Sequence, residues 1–131
     1  MLIGKLAAET GVHIETIRYY ERVGLVTAPP RTAGGHRVYD KLHVQRLTFI
    51  RRSRELGFSL NDIRALLELA SRTNLACAEA KDITLRQLAE VRGKIASLKK
   101  LERALGQMSG ACRPGSRNSC PIFDALWSDR R

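Results

Sequence analysis

Apolar residues recur along this chain at helical intervals, interrupted by glycines, prolines and short polar runs. Ile3, Leu6 and Ala7 share one helical face, and Gly11 closes that run. Val12, Ile14, Ile17 and Tyr20 supply the next apolar face. The segment from Ile3 to Leu25 therefore reads as two short helices, after which Gly24, Pro29 and Pro30 break the chain. Two short helices around a glycine-containing turn predict a helix-turn-helix. Gly34 and Gly35 mark a turn, and the strand-prone Val38 and Tyr39 behind it predict a small β-wing. Asp40 stands where it can cap a helix carrying Val44, Leu47, Phe49 and Ile50, which Gly57 stops. Ser59 followed by Asp62 opens another amphipathic helix with Leu60, Ile63, Leu66, Leu67 and Leu69.

A polar joint, ASRTNLA at 70–76, precedes the longest periodic stretch. Leu88, Val91, Ile95 and Leu98 step by three, four and three residues, and Leu101, Leu105 and Met108 repeat the pattern. This is a heptad-like seam with one shortened step between its halves. The other faces carry Arg86, Glu90, Arg92, Lys94, Lys99, Lys100 and Arg103. A lone helix cannot bury such a seam. A second copy, antiparallel or parallel, is the simplest partner; packing on the chain's own N-terminal part is the alternative. The helix is expected to end near Gly110, before a loop with Pro114 and Gly115. Pro121 then suits the first position of a short last helix with Ile122, Phe123, Leu126 and Trp127.

Charge adds a partner to this picture. Twenty-three Lys and Arg face 13 Asp and Glu among 131 residues, a net charge of +10. Residues 1–54 hold ten basic residues and four acids, a net of +6. Such an excess favours an anionic partner, nucleic acid before membrane. No segment approaches the roughly 18 apolar residues that span a bilayer. The N-terminal stretch lacks the apolar core of a secretion signal, so a cytoplasmic protein is expected. On the second helix, Glu15, Thr16, Arg18, Tyr19 and Arg22 are residue types that reach bases and phosphates from a major-groove helix. Arg37 in the wing can approach the backbone or minor groove. His13, His36 and His43 lack metal-ligand spacing, and no catalytic motif appears.

The cysteines suggest a second ligand. Three is an odd number, so Cys77, Cys112 and Cys120 cannot all pair within one chain. Thiolates select soft ions such as Cu(I), Zn(II), Cd(II), Hg(II) and Pb(II). Cys112 and Cys120 flank the Pro-Gly loop, and Arg113 and Arg117 beside them favour thiolate over thiol. Cys77 lies at the start of the long helix, roughly 30 residues or about 45 Å from that loop. It cannot reach the loop of its own chain. In an antiparallel dimer it would meet Cys112 and Cys120 of the partner, giving two composite sites.

The stretches IGKLAAETGVHIETIRYYERVGL and RTAGGHRVYDKLHVQRLTFIRRSRELGFSLNDIRALLEL closely resemble the MerR family of bacterial transcription regulators. The resemblance covers about residues 2–69. The remainder is similar to the metal-sensing branch: cysteine, long dimer helix, C-x7-C loop, short helix. It implies a homodimer bound to double-stranded promoter DNA together with RNA polymerase. Effector binding would then bend and untwist a promoter whose −35 and −10 elements lie too far apart. The positions matching the family's DNA contacts are Thr16, Arg18, Tyr19, Tyr20, Arg37 and Tyr39. The matching metal ligands are Cys77, Cys112 and Cys120. The copper-group sensors carry serine where Cys77 stands, and no histidine follows His43 to complete a zinc site. CAEA, LAEVRGKIASLKKLE and NSCPIFDAL look most like the mercury sensors, although the loop here is one residue shorter and equals the copper-type spacing.

The expected fold is mainly α: a winged helix-turn-helix DNA-binding domain over 1–70, a linker and antiparallel coiled-coil dimerisation helix over 71–110, and a metal-binding loop with a short helix over 111–131. The expected function is a metal-responsive activator and repressor of transcription, not an enzyme, with Hg(II) the first choice of effector. Cd(II), Pb(II), Zn(II) and Cu(I) stay open. A thiol redox regulator of the same fold is one rival. A metal-buffering protein with an incidental basic half is another.

Overall fold

A computed structural model describes residues 1–72, 76–111 and 120–127. Among these residues six helices follow in order: α1 (Ile3–Thr10), α2 (Ile14–Arg22), α3 (Lys41–Glu55), α4 (Leu60–Ala70), α5 (Cys77–Ala111) and α6 (Pro121–Trp127). The chain forms two compact units, Met1–Thr84 and Leu85–Arg131.

In the first unit α1 packs on α2 and α3, and α3 packs on α4. Leu6, Ile17, Leu25, Leu47, Ile50 and Ile63 are fully buried between them. Gly11 terminates α1 with φ 72°, a left-handed conformation that costs glycine nothing. The buried Thr10 holds this turn: its hydroxyl donates to the Leu6 carbonyl at 2.8 Å and accepts from the Val12 amide at 3.3 Å. The second helix begins three residues later, so the helix-turn-helix forms as its spacing predicts. α2 ends at Arg22, earlier than the apolar run to Leu25 suggests, because Gly24 at φ 79° turns the chain. Leu25 and Val26 are nevertheless buried, since their amides return to the Tyr20 carbonyl at 2.9 and 3.3 Å.

The two predicted helix starts are capped. The Asp40 carboxylate accepts from the Leu42 and His43 amides at 3.0 and 3.2 Å, and the His43 ring folds back over this cap with Nδ1 2.9 Å from Asp40 Oδ1. The Ser59 hydroxyl accepts from the Asp62 amide at 3.1 Å.

Two features differ from expectation. The wing is a tight loop closed by a single antiparallel bridge between Arg31 and Arg37, with no longer strand among the described residues. Pro29 and Pro30 remove two amide donors from one arm, so a ladder cannot extend that way. Side chains replace it: Arg37 Nη1 donates to the Pro29 carbonyl at 2.6 Å, and Arg31 Nη1 to Gly35 at 3.0 Å. The N-terminal unit also runs past residue 70 into the first two turns of α5. Ile83 is buried there as part of the same core cluster as Leu69 and Phe58.

The second unit is described by itself. In it α5 exposes Leu88, Val91, Ile95, Leu98, Leu101 and Leu105. α6 stacks Phe123 on Trp127, with ring centroids 5.5 Å apart.

Candidate nucleic-acid interface and cysteine positions

α2 presents its residues on two faces. Ile17 and Tyr20, three residues apart, point into the core. Arg18 and Tyr19 are exposed, and Thr16 is half-buried. Tyr19 lies against Tyr20 at 6.0 Å, and the Arg22 guanidinium sits 5.8 Å from the Tyr19 ring centre. That contact aligns an arginine and an aromatic on one outward surface. The α2 N-cap, His13, makes no side-chain cap, so the first amides of α2 are left to other acceptors.

Between α2 and the wing lies a cleft of about 310 Å³ lined by Arg18, Glu21, Arg31, His36, Arg37 and Tyr39, among others. Three guanidinium groups and one carboxylate therefore line the same cleft. A surface of this sign attracts the phosphate backbone of a duplex.

The six positions expected to contact DNA divide in two. Thr16, Arg18, Tyr19 and Arg37 are exposed or half-buried. Tyr20 and Tyr39 are buried, at 8% and 3% exposure. Tyr39 is held on several sides. Its hydroxyl donates to Glu21 Oε1 at 2.6 Å, its ring meets His43 edge-on at 5.0 Å, and its amide donates to the Met1 carbonyl at 2.7 Å. Burial, followed by the Glu21 hydrogen bond and charge, pushes the phenol up to about 12; Arg37 and Arg18 pull weakly the other way. Glu21, Arg31 and His36 enter this face without having been singled out. A signal for Glu21 existed: it lies three residues after Arg18, so both share one side of α2.

Among the cysteines, Cys77 is exposed at the first residue of α5, and Cys120 is half-buried just before α6. The Cys120 carbonyl accepts from the Asp124 amide at 3.0 Å, which fixes the first turn of α6 behind it. Cys112, Arg113, Pro114, Gly115 and Arg117 lie outside the described residues. Among the described residues no three Cys, His, Asp or Glu side chains of one chain converge as a metal site. No helix among them is long and apolar enough to cross a membrane.

A helix-turn-helix whose second helix exposes Arg18 and Arg22, beside a wing carrying Arg31 and Arg37, defines a DNA-binding regulator. The chain belongs to the MerR family: residues 1–70 match "MerR HTH family regulatory protein" and residues 44–108 match "MerR, DNA binding". It is similar to a mercuric resistance operon regulatory protein of Bacillus cereus, 43% identical over 126 residues, covering 95% of each chain. It is also similar to the lead(II)-bound transcription regulator PbrR691 of Ralstonia metallidurans CH34, at 38% identity and a TM-score of 0.81, over 96% of this chain and 98% of that one. The mercury(II)-bound MerR of Bacillus megaterium MB1 matches at 37% identity and a TM-score of 0.74, over 98% of this chain and 100% of that one.

Proposed function

We propose that the protein is a metal-responsive transcription regulator that binds promoter DNA as a homodimer in the cytoplasm, with Hg(II) as its effector. The observation that carries the reading is the layout of α5. One 35-residue helix has a cysteine at its first residue and an apolar seam exposed over the rest. At 1.5 Å per residue it is roughly 52 Å long. An antiparallel pairing of two such helices buries both seams. It also lays the start of each helix beside the end of the other. Cys77 of one protomer then joins Cys112 and Cys120 of its partner.

Three thiolates suit a soft ion in trigonal geometry, and a bound ion would supply a cross-protomer link at each end of the paired helices. Drawing those ends together changes the separation of the two DNA-binding units. On a promoter whose two elements are spaced too widely, that change bends and untwists the duplex so that RNA polymerase engages both. Arg18, Tyr19, Thr16 and Arg37 are the proposed DNA contacts. Tyr20 and Tyr39 act from the core behind them. Pb(II) and Cd(II) suit the same three ligands, and the relative that holds lead supports the first. The C-x7-C spacing supports Cu(I) through Cys112 and Cys120 alone.

The deciding experiment is a titration of the reduced dimer with Hg(II), Pb(II), Cd(II), Zn(II) and Cu(I), followed by thiolate-to-metal charge-transfer absorbance. The expected result is two Hg(II) per dimer with a three-thiolate band that Cys77→Ser abolishes. Mixing Cys77→Ser with Cys112→Ser protomers would restore one complete site per heterodimer. A Cys77→Ser dimer that binds Hg(II) as wild type does would overturn the shared site. Thiol oxidation that changes promoter output without any metal would favour the redox reading.

A further inference from the structure

Glu21 is a carboxylate placed among arginines on the surface that must meet DNA. Its charge opposes that role, since a negative group beside the phosphate backbone repels it. Its geometry explains its presence. Glu21 belongs to α2, and Tyr39 closes the wing, 18 residues later. The 2.6 Å hydrogen bond between Tyr39 Oη and Glu21 Oε1 is the side-chain link from α2 to the end of the wing. Tyr39 is 3% exposed and Glu21 half-buried, so this bond is partly shielded from water and its loss leaves the Tyr39 hydroxyl without that acceptor. The residues that flank the bond are the ones with a DNA-facing position. Arg18 lies one turn before Glu21 on α2, and Arg37 lies two residues before Tyr39 in the wing. Both line the same cleft.

We infer that Glu21 is a positioning residue, which fixes the wing against α2 through Tyr39 and so sets the spacing at which Arg18 and Arg37 meet a specific duplex. Tyr39 acts here as the anchor of the wing and not as a base or phosphate contact. This rests on the DNA-binding reading above. Its signature separates it from a charge effect. Removing a negative charge from a DNA-facing surface strengthens non-specific binding. Removing a positioning bond weakens specific binding. The two act in opposite directions on the same substitution.

The test uses the full-length dimer and two probes: a duplex that the wild type selects from a randomised pool, and poly(dI-dC). Tyr39→Phe removes only the hydroxyl and keeps the ring on His43. It is expected to lose about tenfold on the selected duplex, the scale of a hydrogen bond to a charged acceptor. Glu21→Leu is expected to lose as much, while poly(dI-dC) binding holds or rises. The double variant should be no weaker than either single one. Glu21→Gln keeps an oxygen acceptor for Tyr39 and is expected to rescue the selected duplex to within about threefold. Wild-type affinity in Glu21→Leu or in Tyr39→Phe would overturn the inference. A Glu21→Gln protein as weak as Glu21→Leu would also overturn it, because charge and not the bond would then matter. So would parallel losses on both probes, which mark general damage to the fold. Failure of the wild type to select any duplex would instead remove the DNA-binding reading itself.

Discussion

The Nε2 atom of His43 lies 2.8 Å from the main-chain oxygen of Thr27. A carbonyl only accepts, so this ring nitrogen donates, and the bond ties the segment after α2 to the first turn of α3. The other ring nitrogen lies 2.9 Å from Asp40 Oδ1. One imidazole thus joins the cap of α3 to a loop 16 residues before it. Replacing His43 by Ala removes both links and leaves the Tyr39 ring without its edge-on neighbour. The expected cost is about 1–2 kcal/mol, read from urea unfolding of the dimer.

The same cluster makes stability sensitive to acid. The Asp40 carboxyl is held below its ordinary 3.8, first by the His43 side-chain hydrogen bond and then by the His43 amide. A depressed folded-state value gives stability that is present above the unfolded value and lost as pH falls through the folded one. Melting temperatures should therefore drop below pH 3.8 in part through Asp40. Asp40→Asn, which still caps a helix, should show a shallower drop. Equal acid slopes for the two proteins would show that Asp40 contributes nothing there.

Tyr39 predicts the opposite limb. Its phenol is raised from 10.0 to about 12. A raised folded-state value gives stability that is complete below the unfolded value and disappears as pH rises through the folded one. Wild type should lose this contribution between pH 10.0 and about 12, and Tyr39→Phe should not. Phenolate absorbance in the near ultraviolet provides the check. One of the three tyrosines should ionise late, and that late step should vanish in Tyr39→Phe.

Gly24 carries φ 79°, and a Cβ there would meet nothing nearer than Arg64 Nη1 at 3.7 Å. Space is not the constraint; backbone conformation is. Gly24→Ala is expected to cost about 1–2 kcal/mol, and Gly24→Asn less, because Asn tolerates the left-handed region better. Arg64 Nη2 donates to the adjacent Val23 carbonyl at 2.8 Å, so the turn is also held from α4. Thermal melts of the two variants would rank them, and equal destabilisation would point to lost space instead.

The α5 seam yields a prediction about assembly. Leu98 is 63% exposed in the single chain and sits at the middle of the seam. Leu98→Glu should shift sedimentation from dimer to monomer and weaken operator binding with it. A dimer that persists would assign pairing to another surface.

Much of this was legible in the chain because it is local. Helical periodicity placed α1 to α5, Asp40 and Ser59 announced their caps, and Gly11 announced its turn. Each signal lies within a few residues of its effect. The pairings that cross the fold were not legible. Tyr39 finds Glu21 across 18 residues, and His43 finds Thr27 across 16. Tyr20 shares the apolar face of Ile17 at helical spacing, so its burial is local, whereas Tyr39 resembles a surface aromatic beside Arg37 and its burial is decided by helices elsewhere in the chain. The wing looked like a strand pair because Val38 and Tyr39 favour extended backbone. The donors missing at Pro29 and Pro30 instead leave its arms to be held by Arg31 and Arg37.

The burial of Ile83 in the N-terminal core has a practical meaning for grafting between relatives. A chimera cut at residue 70, where the sequence turns polar, would deprive that core of Ile83 and keep whatever the donor supplies in its place. A joint placed between Thr84 and Leu85 keeps the host's own residue in its socket. Donor and host helices must then share heptad phase across the splice, since one inserted residue would swing every downstream side chain by about 100° around α5. Such a joint would let the specificity of one regulator be read out by the promoter of another.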